Sequence, residues 1–436
     1  MSATAADKKT VAEGPETVRD ASGKPLVRSW STPILLSVFA LLSLGLFAIN
    51  GPENAAEFRI ATPGDLIELA AVTVPPAAVW VLTVVMLAIA AFAWVRAAAG
   101  RRVPVWANAV FVLAFVAAFL VWVIGSAANN SVYLTGLIAG SFALAVPLIF
   151  GSMAGILSER SGVVNIAIEG QLLAGAFTAA MVGSATGSAW IGLAAAIFAG
   201  VAVSWLLAVF SIKYLVNQVI VGVVLNVLVV GLTNFLFSMV LAPNSSELNS
   251  PPHFENIRIP FLAEIPIIGR ILFDQSILGY GMYLIVGLLW FGLFRTRWGL
   301  RVRAVGEHPK AADTVGIDVL RTRYVNVLLG GAVAGMGGAF FTLVSASSFS
   351  KEMTAGQGFI ALAAVIFGRW NPIGAFFAAL LFGFATNMQY VFAILGTPVP
   401  SQFMAMLPYV VTVFAVAGLV GRSRGPAAAG TPYVKE

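Results

Sequence analysis

The sequence of 436 residues has very little charge. Asp, Glu, Lys and Arg make up 10% of it, whereas a soluble domain carries roughly 25%. Hydrophobic residues account for 59%, and the mean hydropathy is +0.92. A chain of this length has too little polar surface to face water on all sides. The composition therefore excludes the soluble classes and indicates a membrane protein.

Cysteine is absent, and the two histidines are His253 and His308. The lack of cysteine excludes disulfides, thiolate metal sites and cysteine nucleophiles. Both histidines fall in polar loops, so neither a histidine metal site nor a proton relay is expected. We predict that this chain binds no metal and no cofactor of its own.

Several catalytic motifs are also missing. The sequence contains no G-x-x-x-x-G-K-[ST] phosphate-binding loop, no G-x-S-x-G and no H-E-x-x-H. The chain is therefore not expected to hydrolyse ATP or to be an enzyme. Its net charge of +6 is better explained by membrane orientation than by a nucleic-acid partner.

Long apolar runs fill most of the chain. A bilayer core of about 30 Å needs roughly 20 such residues per helix, so the runs predict an all-α, polytopic transmembrane bundle of about 10–12 spans. The predicted spans are 32–49, 74–95, 105–127, 133–151, 167–183, 189–211, 217–241, 276–294, 324–345, 357–368, 372–394 and 402–421. The segment 357–368 is short for a crossing, so a broken or re-entrant helix is the alternative there.

The basic residues predict the orientation of these spans, because cytoplasmic connections are enriched in Lys and Arg. With the N-terminus inside, only Arg59, Arg258, Arg270 and Lys351 of the 25 basic residues would lie outside. The opposite orientation would reverse that ratio. We therefore predict a multi-pass protein of the inner or plasma membrane with both termini in the cytoplasm.

The predicted cytoplasmic loop 295–323 contains a short segment with clear helix boundaries. Pro309 suits the first position of a helix, and Gly316 suits the position just after its end. A helix of about two turns is marginal in water without a partner. From the residues alone, a docking helix and an ordinary interfacial helix remain equally open.

Three segments resemble one family of transporters. Residues 304–317, AVGEHPKAADTVGI, resemble the coupling helix AVGENPxAAxxxGI of ATP-binding cassette (ABC) importer permeases of the ribose, nucleoside and branched-chain amino-acid class. The main departure is His308, where Asn is usual. Residues 158–171 resemble the SERSGVVNIGLEG element of nucleoside-type (guanosine and uridine) permeases, and 358–374 resemble their GFxxIAxxxxGxxxPxG element. Residues 1–127 carry no such motif.

The resemblance implies a permease subunit of an ATP-driven importer, with nucleosides as the expected substrate. The implied partners are a cytosolic ATP-binding subunit that holds ATP and Mg, a second permease, an extracytoplasmic substrate-binding protein and membrane lipid. The implied coupling residues are Gly306, Glu307, Pro309, Ala311, Ala312 and Gly316. The expected domains are a disordered cytoplasmic tail 1–31, extra spans 32–127, a permease domain 128–421 with the coupling loop 295–323, and a cytoplasmic tail 422–436.

Other transport functions stay open. A sugar or branched-chain amino-acid permease of the same class is the first alternative. An ion-coupled secondary transporter would need coupling carboxylates near the middle of the membrane. Glu169 is nearly alone in that respect, which counts against this alternative.

Polar residues inside the predicted spans are candidates for the substrate pathway. Ionisable groups are costly in hydrocarbon and usually face a cavity or a partner. Glu169 has Gly162 and Gly170 nearby, which permit a break in the helix; alternatively, it stabilises a first helical turn near the headgroups. Buried amides more often pair helices than bind substrate. The candidate pathway residues are Asn165, Glu169, Gln171, Asn226, Trp370 and Asn387.

Two G-x-x-x-G spacings, Gly151 to Gly155 and Gly331 to Gly335, lie within predicted spans. Such spacings let two helices approach closely. We predict a packing role for both and no other.

Overall fold

The structure, a computed structural model, describes residues 30–60, 70–127, 129–265, 268–395, 403, 406 and 425–435. These residues are predominantly helical. The predicted span 402–421 lies outside the described residues except for Phe403 and Met406. Most of the predicted N-terminal tail also lies outside them.

Within those ranges, nine helices are long and apolar enough to cross a membrane. They are α1 (Ser31–Ala48), α2 (Ala77–Ala98), α3 (Val105–Gly125), α4 (Leu134–Arg160), α6 (Ala189–Lys213), α7 (Gln218–Leu241), α10 (Ile277–Arg295), α13 (Val319–Ser345) and α15 (Pro372–Leu395). The other helices are α5 (Ile168–Thr186), α8 (Ser245–Leu248), α9 (Ile268–Phe273), α11 (Arg297–Glu307), α12 (Pro309–Thr314) and α14 (Gln357–Phe367). The predicted all-α, multi-pass fold is confirmed.

Strands are few and short. β1 (Ala56–Arg59) lies between β2 (Val72–Val74) and β3 (Ser131–Tyr133), and it runs parallel to β3. β4 (Asn256–Arg258) pairs antiparallel with β5 (Asp274–Ser276). All of these strands lie in connections between the long helices.

The chain forms two compact units, residues 1–56 with 74–126 and residues 57–73 with 127–436. The first unit contains α1, α2 and α3. Aromatic rings pack it together, since the Phe47 ring lies 5.5 Å from Phe115 and 5.2 Å from Trp122 between centroids. The second unit contains every segment that carried a motif in the sequence.

Small residues hold the centre of the second unit together. Gly331 and Gly335 of α13 lie against α6, where a Cβ added to Gly335 would overlap the carbonyl oxygen of Ala196. Gly175 of α5 also meets Gly335, at 3.0 Å from its built Cβ to the Gly335 Cα. Close backbone approach of this kind drives helix association in lipid. The predicted packing role of this G-x-x-x-G spacing is confirmed.

The second G-x-x-x-G spacing packs α4 against α14. A Cβ on Gly151 would lie 2.8 Å from Ala361, and one on Gly155 would lie 2.9 Å from Val365. The ridge of α14 therefore sits in the groove left by these two glycines, and the predicted packing role is confirmed here too. This contact places α14 beside the second half of α4, towards Arg160.

The helix α14 is only half as long as the membrane is thick. Its 11 residues span about 16 Å at 1.5 Å per residue. Before it, residues 346–356 are not helical, and Phe349 is buried there with its ring 5.2 Å from that of Phe177. Asn249 fixes this segment by bonding both backbone groups of Phe349, at 2.7 and 3.0 Å. The predicted span 357–368 is thus a short helix, and the non-helical segment before it ends in a series of turns over residues 351–356.

The ends of the second unit differ in charge. We call the end at which α4 finishes and α13 begins the basic end, because Arg160, Arg303 and Arg323 lie there. The other end carries β4, β5 and the connection from Leu241 to Ile277. α14 runs from the middle of the bundle to the basic end.

The glycine packing predicts a sharp contrast between two substitutions. Gly335→Leu forces side-chain atoms into the α6 backbone, and overpacking of this kind costs about 1–3 kcal/mol or more. Gly287→Leu on α10 is the matched control, because nothing lies within 4 Å of a Cβ built there. Thermal unfolding of the detergent-solubilised protein should show a lower Tm for Gly335→Leu alone. Equal Tm values would contradict the packing.

Candidate functional site

The N-terminus of α14 lies against α5, where the free N–H groups of its buried face need protein partners. The Glu169 carboxylate occupies this position. Its Oε1 accepts from Thr354 Oγ1 at 2.6 Å and from the Gly356 N–H at 2.8 Å, and its Oε2 accepts from the Gly358 N–H at 2.6 Å. A negative charge at a helix N-terminus also interacts favourably with the helix dipole. Glu169 is therefore the cap of a half-helix and is 7% exposed.

Glycine is required on both sides of this cap. Gly356 has a φ of +80°, a left-handed conformation that glycine adopts without strain. A Cβ on Gly358 would lie 2.5 Å from the Glu169 Cα, so only glycine lets α14 approach α5 this closely. Glu352 and Ala355 have positive φ values of 54° and 46° without being glycines. Strained backbone of this kind often marks a functional segment.

A second side chain, Asn226, holds the backbone on both sides of Glu169. Asn226 Nδ2 donates to the Ile166 carbonyl at 2.9 Å, and its Oδ1 accepts from the Gly170 N–H at 2.8 Å. Asn226 lies about 12 Å along α7 from Gln218, at 1.5 Å per residue. The start of α5 is thus held against α7 by both backbone groups that Asn226 bonds, and Glu169 lies in the first turn of α5.

A cavity of about 350 Å³ opens beside this break. That volume falls in the range of about 300–1,000 Å³ that is typical of small-molecule sites. Its lining residues come from α5, α7, the segment before α14 and α14 itself: Glu169, Leu173, Asn226, Val227, Val230, Glu352, Thr354, Ala355, Gly356 and Phe359.

The chemistry of the cavity is apolar with carboxylates at two positions. Glu352 accepts a hydrogen bond from Asn234 Nδ2 at 3.0 Å, which leaves its second oxygen available to a ligand. Phe359 is 50% exposed. Among the described residues that line this cavity, none is Lys, Arg or His. The cavity therefore disfavours an anionic solute and suits one that donates hydrogen bonds and has a flat face.

Asn165 and Gln171 do not reach the cavity. They bond each other, with Gln171 Nε2 to Asn165 Oδ1 at 3.2 Å, and Gln171 Nε2 also donates to Ser204 Oγ at 2.9 Å. Both side chains are fully buried. This network ties α5 to α6 and to the end of α4. Its geometry is that of a structural link between helices.

Trp370 lies at the basic end, at the other terminus of α14. Its Nε1 donates to the Glu159 carboxylate, and its carbonyl oxygen accepts from Arg160 Nε at 3.0 Å. Arg369 and Trp370 both have positive φ values, 55° and 53°. Sequence reasoning did not name Glu159 as a site residue, although it lies in the motif 158–171 between two predicted spans.

Asn387 lies far from both of these sites. Its Nδ2 donates to the Leu137 carbonyl at 2.7 Å and to Ser141 Oγ at 3.2 Å, which ties α15 to the first turns of α4. The bonding fits the pairing of helices. Of the six candidate pathway residues, Glu169 and Asn226 line the cavity.

The predicted coupling segment forms α12 at the basic end. Pro309 begins the helix, and Gly316 follows it with a φ of +82°. Glu307, Ala311 and Gly316 are exposed and Pro309 is partly buried, whereas Gly306 and Ala312 are buried within this chain. Their coupling roles stay predictions. Val315, which is not among the predicted coupling residues, is apolar and 74% exposed.

A comparison with known families gives a match over residues 137–416, to the family of branched-chain amino acid transport system permease components. The match covers more than half of the chain and all of the sites described above. The chain belongs to this permease family. It is the transport component of an ABC system in the cell membrane and has no catalytic activity of its own.

Individual relatives narrow the resemblance. The permease is 40% identical over 311 residues to the guanosine ABC transporter permease protein NupQ of Bacillus subtilis, covering 69% of this chain and 96% of NupQ. It is 39% identical to the nucleoside ABC transporter permease protein NupC of Lactococcus lactis, with the same coverage of 69% and 96%. It is 34% identical to the putative glucose ABC transporter permease protein TsgC13 of Haloferax volcanii, covering 59% and 78%. No solved structure matches the permease.

The cap on α14 predicts the effect of removing one charge. In Glu169→Gln, an amide NH₂ replaces one acceptor oxygen and faces a backbone N–H or a hydroxyl. A buried donor without a partner costs about 1–3 kcal/mol. We expect a lower Tm and faster hydrogen exchange in residues 354–360 of the purified permease. Glu352→Gln, at an exposed carboxylate in the same cavity, is the control and should change neither. The same behaviour in both variants would contradict the capping role.

Proposed function

We propose that this permease is a transmembrane subunit of an ATP-driven importer of nucleosides. Two relatives that align with 69% of the chain are named as guanosine and nucleoside permeases. The cavity beside Glu169 is the structural observation that carries the proposal. It combines hydrogen-bond acceptors with an exposed aromatic ring at a helix break inside the bundle.

The chemistry of a nucleoside fits this cavity. A nucleoside is uncharged, its ribose hydroxyls and the N–H groups of its base donate hydrogen bonds, and its base has two flat faces. The free oxygen of Glu352 accepts such donors. Phe359 offers a ring for stacking, which is worth about 1–3 kcal/mol per base when bases stack on aromatic side chains.

The alternative substrates fit less well. A branched-chain amino acid carries a carboxylate as well as an ammonium group, and the described lining holds no cation to pair with that carboxylate. A sugar donates hydrogen bonds but has no flat aromatic face for Phe359. The glucose permease among the relatives keeps the sugar as the second candidate.

The proposed partners follow from where the exposed surfaces lie. Val227 on the cavity wall is 68% exposed, so the cavity is open on the side of α7, where a second permease would complete the pathway. The cytosolic ATP-binding subunit, which we call the motor subunit, would dock on α12 at the basic end. A binding protein would deliver nucleoside at the opposite end, beside β4 and β5.

Uptake and partner recovery test the proposal as a whole. Membranes that contain the permease with its motor subunit should accumulate radiolabelled guanosine in an ATP-dependent manner. Affinity purification of the permease should recover the motor subunit. Guanosine accumulation that continues without any ATP-hydrolysing partner would contradict the proposal.

Removing the aromatic ring of the cavity should weaken nucleoside transport. Phe359→Ala removes the stacking surface, and the loss of about 1.4 kcal/mol of stacking would raise the KM for guanosine about tenfold. Phe377→Ala is the matched control, because Phe377 is 64% exposed on α15 and does not line the cavity. Kinetics of guanosine uptake would measure both. An equal KM for the two variants would exclude Phe359 from the pathway.

A charge at the exposed end of α12 should prevent docking of the motor subunit. Val315→Glu places a carboxylate where the proposal expects an apolar contact, whereas Val216→Glu changes an exposed valine in another connection at the basic end. Only Val315→Glu should reduce the amount of motor subunit that co-purifies, with insertion of both variants unchanged. Full recovery of the motor subunit with Val315→Glu would place the docking surface elsewhere.

A further inference from the structure

Residues 425–435, which we call the strap, do not project from the protein as a free tail. Tyr433 is 6% exposed and packs into a cluster with Val305 of α11, Ala312 of α12 and Val319 of α13. The sequence predicted a cytoplasmic tail over 422–436. In the structure, residues 425–435 of that tail pack against the basic end. Ala312 therefore faces the strap, which explains its burial.

Polar contacts fix the strap along the same surface. The Ala428 N–H donates to the Gly306 carbonyl at 2.9 Å, and the Ala427 N–H donates to Glu307 Oε2 at 3.2 Å. Near the end of the strap, Lys435 Nζ lies 3.9 Å from Asp313 Oδ1. The strap thus contacts the last turn of α11 and both the middle and the end of α12.

A buried arginine depends on the strap. Arg323 of α13 is 1% exposed, and its Nη1 donates to the Thr431 carbonyl at 3.1 Å. Its Nε and Nη2 have no hydrogen-bond partner among the described residues. Burying a charged group without partners is costly. The Thr431 carbonyl gives one nitrogen of this buried guanidinium a partner, so the strap stabilises the first turns of α13.

The strap also reaches the break at the end of α14. A Cβ on Gly425 would lie 2.9 Å from Trp370 Cζ2, so the first residue of the strap touches that ring. Arg160 bonds the Trp370 carbonyl, and its own carbonyl oxygen lies so close to Gly306 that a Cβ there would overlap it. One continuous set of contacts therefore runs from Trp370 through the strap to α12.

We propose that the strap is a positioning element that holds α12 rigidly against the ends of α4, α13 and α14. The assignment of α12 as the docking helix rests on the proposed function. α12 has six residues, and a helix that short is marginal in water by itself. With the strap in place, a displacement of α12 moves the break at Trp370. Without the strap, α12 would move on its flanking loops and leave the break at Trp370 in place.

Hydrogen exchange tests the structural part of this inference without any transport. Tyr433→Ala in the full-length permease, held in lipid nanodiscs, removes the ring that packs on Ala312. We expect the amides of α12 to exchange about tenfold faster or more, because local opening governs exchange. Val434→Ala is the matched control, since Val434 is 62% exposed. Tyr433→Phe keeps the ring and should restore protection. Native exchange of α12 in Tyr433→Ala would overturn the inference.

The assembled transporter tests the functional part. With Tyr433→Ala, the ratio of guanosine imported to ATP hydrolysed should fall several-fold while the motor subunit still co-purifies and hydrolyses ATP. Tyr433→Phe should restore the ratio. An unchanged ratio together with a loosened α12 would overturn the positioning role. If the native complex imports no nucleoside, the proposed function fails, and the exchange experiment still decides whether the strap holds α12.

Discussion

The contact between the Glu169 carboxylate and the start of α14 is the interaction on which the rest of the site depends. Backbone N–H groups that are packed inside the protein, away from a water-filled cavity, need protein partners, so a helix can begin there only if protein groups bond them. Glu169 does so through Gly356 and Gly358, and it takes the Thr354 hydroxyl as well. Because α14 begins inside the bundle, the segment before it is non-helical and a cavity remains beside it. The half-helix, the strained backbone before it and the cavity therefore share one cause.

α14 also connects this cavity to the basic end. It begins at Glu169 and ends beside Trp370, which bonds Glu159 and touches the strap. In the proposed importer, a displacement of α12 passes to the strap, then to Trp370 and along α14 to its cap. α14 packs in the groove that Gly151 and Gly155 leave in α4, which holds it beside the second half of that helix. The two G-x-x-x-G spacings pack against different helices: the one in α13 contacts α6, and the one in α4 contacts α14.

Local sequence patterns predicted much of the fold and part of the site. Hydropathy predicted the long helices, Pro309 and Gly316 predicted the bounds of α12, and Gly331 with Gly335 predicted a close helix contact. Glu169 was predicted as a site residue because a carboxylate inside a membrane span is costly unless it faces a cavity or a partner. Its partners Thr354, Gly356 and Gly358 could not be derived, because a pairing between distant segments leaves no periodic signal. For the same reason the mutual bonding of Asn165 and Gln171 was not foreseen. The strap was predicted only as part of a cytoplasmic tail, since a short segment without periodicity does not reveal what it packs against.

The central claim is that the cavity beside Glu169 is part of a water-filled solute pathway, and the absence of cysteine in this chain allows a direct measurement. Val227 and Leu228 are neighbours on α7 that are 68% and 53% exposed, and of these two only Val227 lines the cavity. Each would be replaced singly by cysteine in the assembled transporter and treated with a charged, membrane-impermeant thiol reagent. The account predicts that the cysteine at 227 reacts, that guanosine slows this reaction, and that the cysteine at 228 stays unreactive. Equal lack of reaction at both positions would show that this face of α7 is covered by lipid, which contradicts the account.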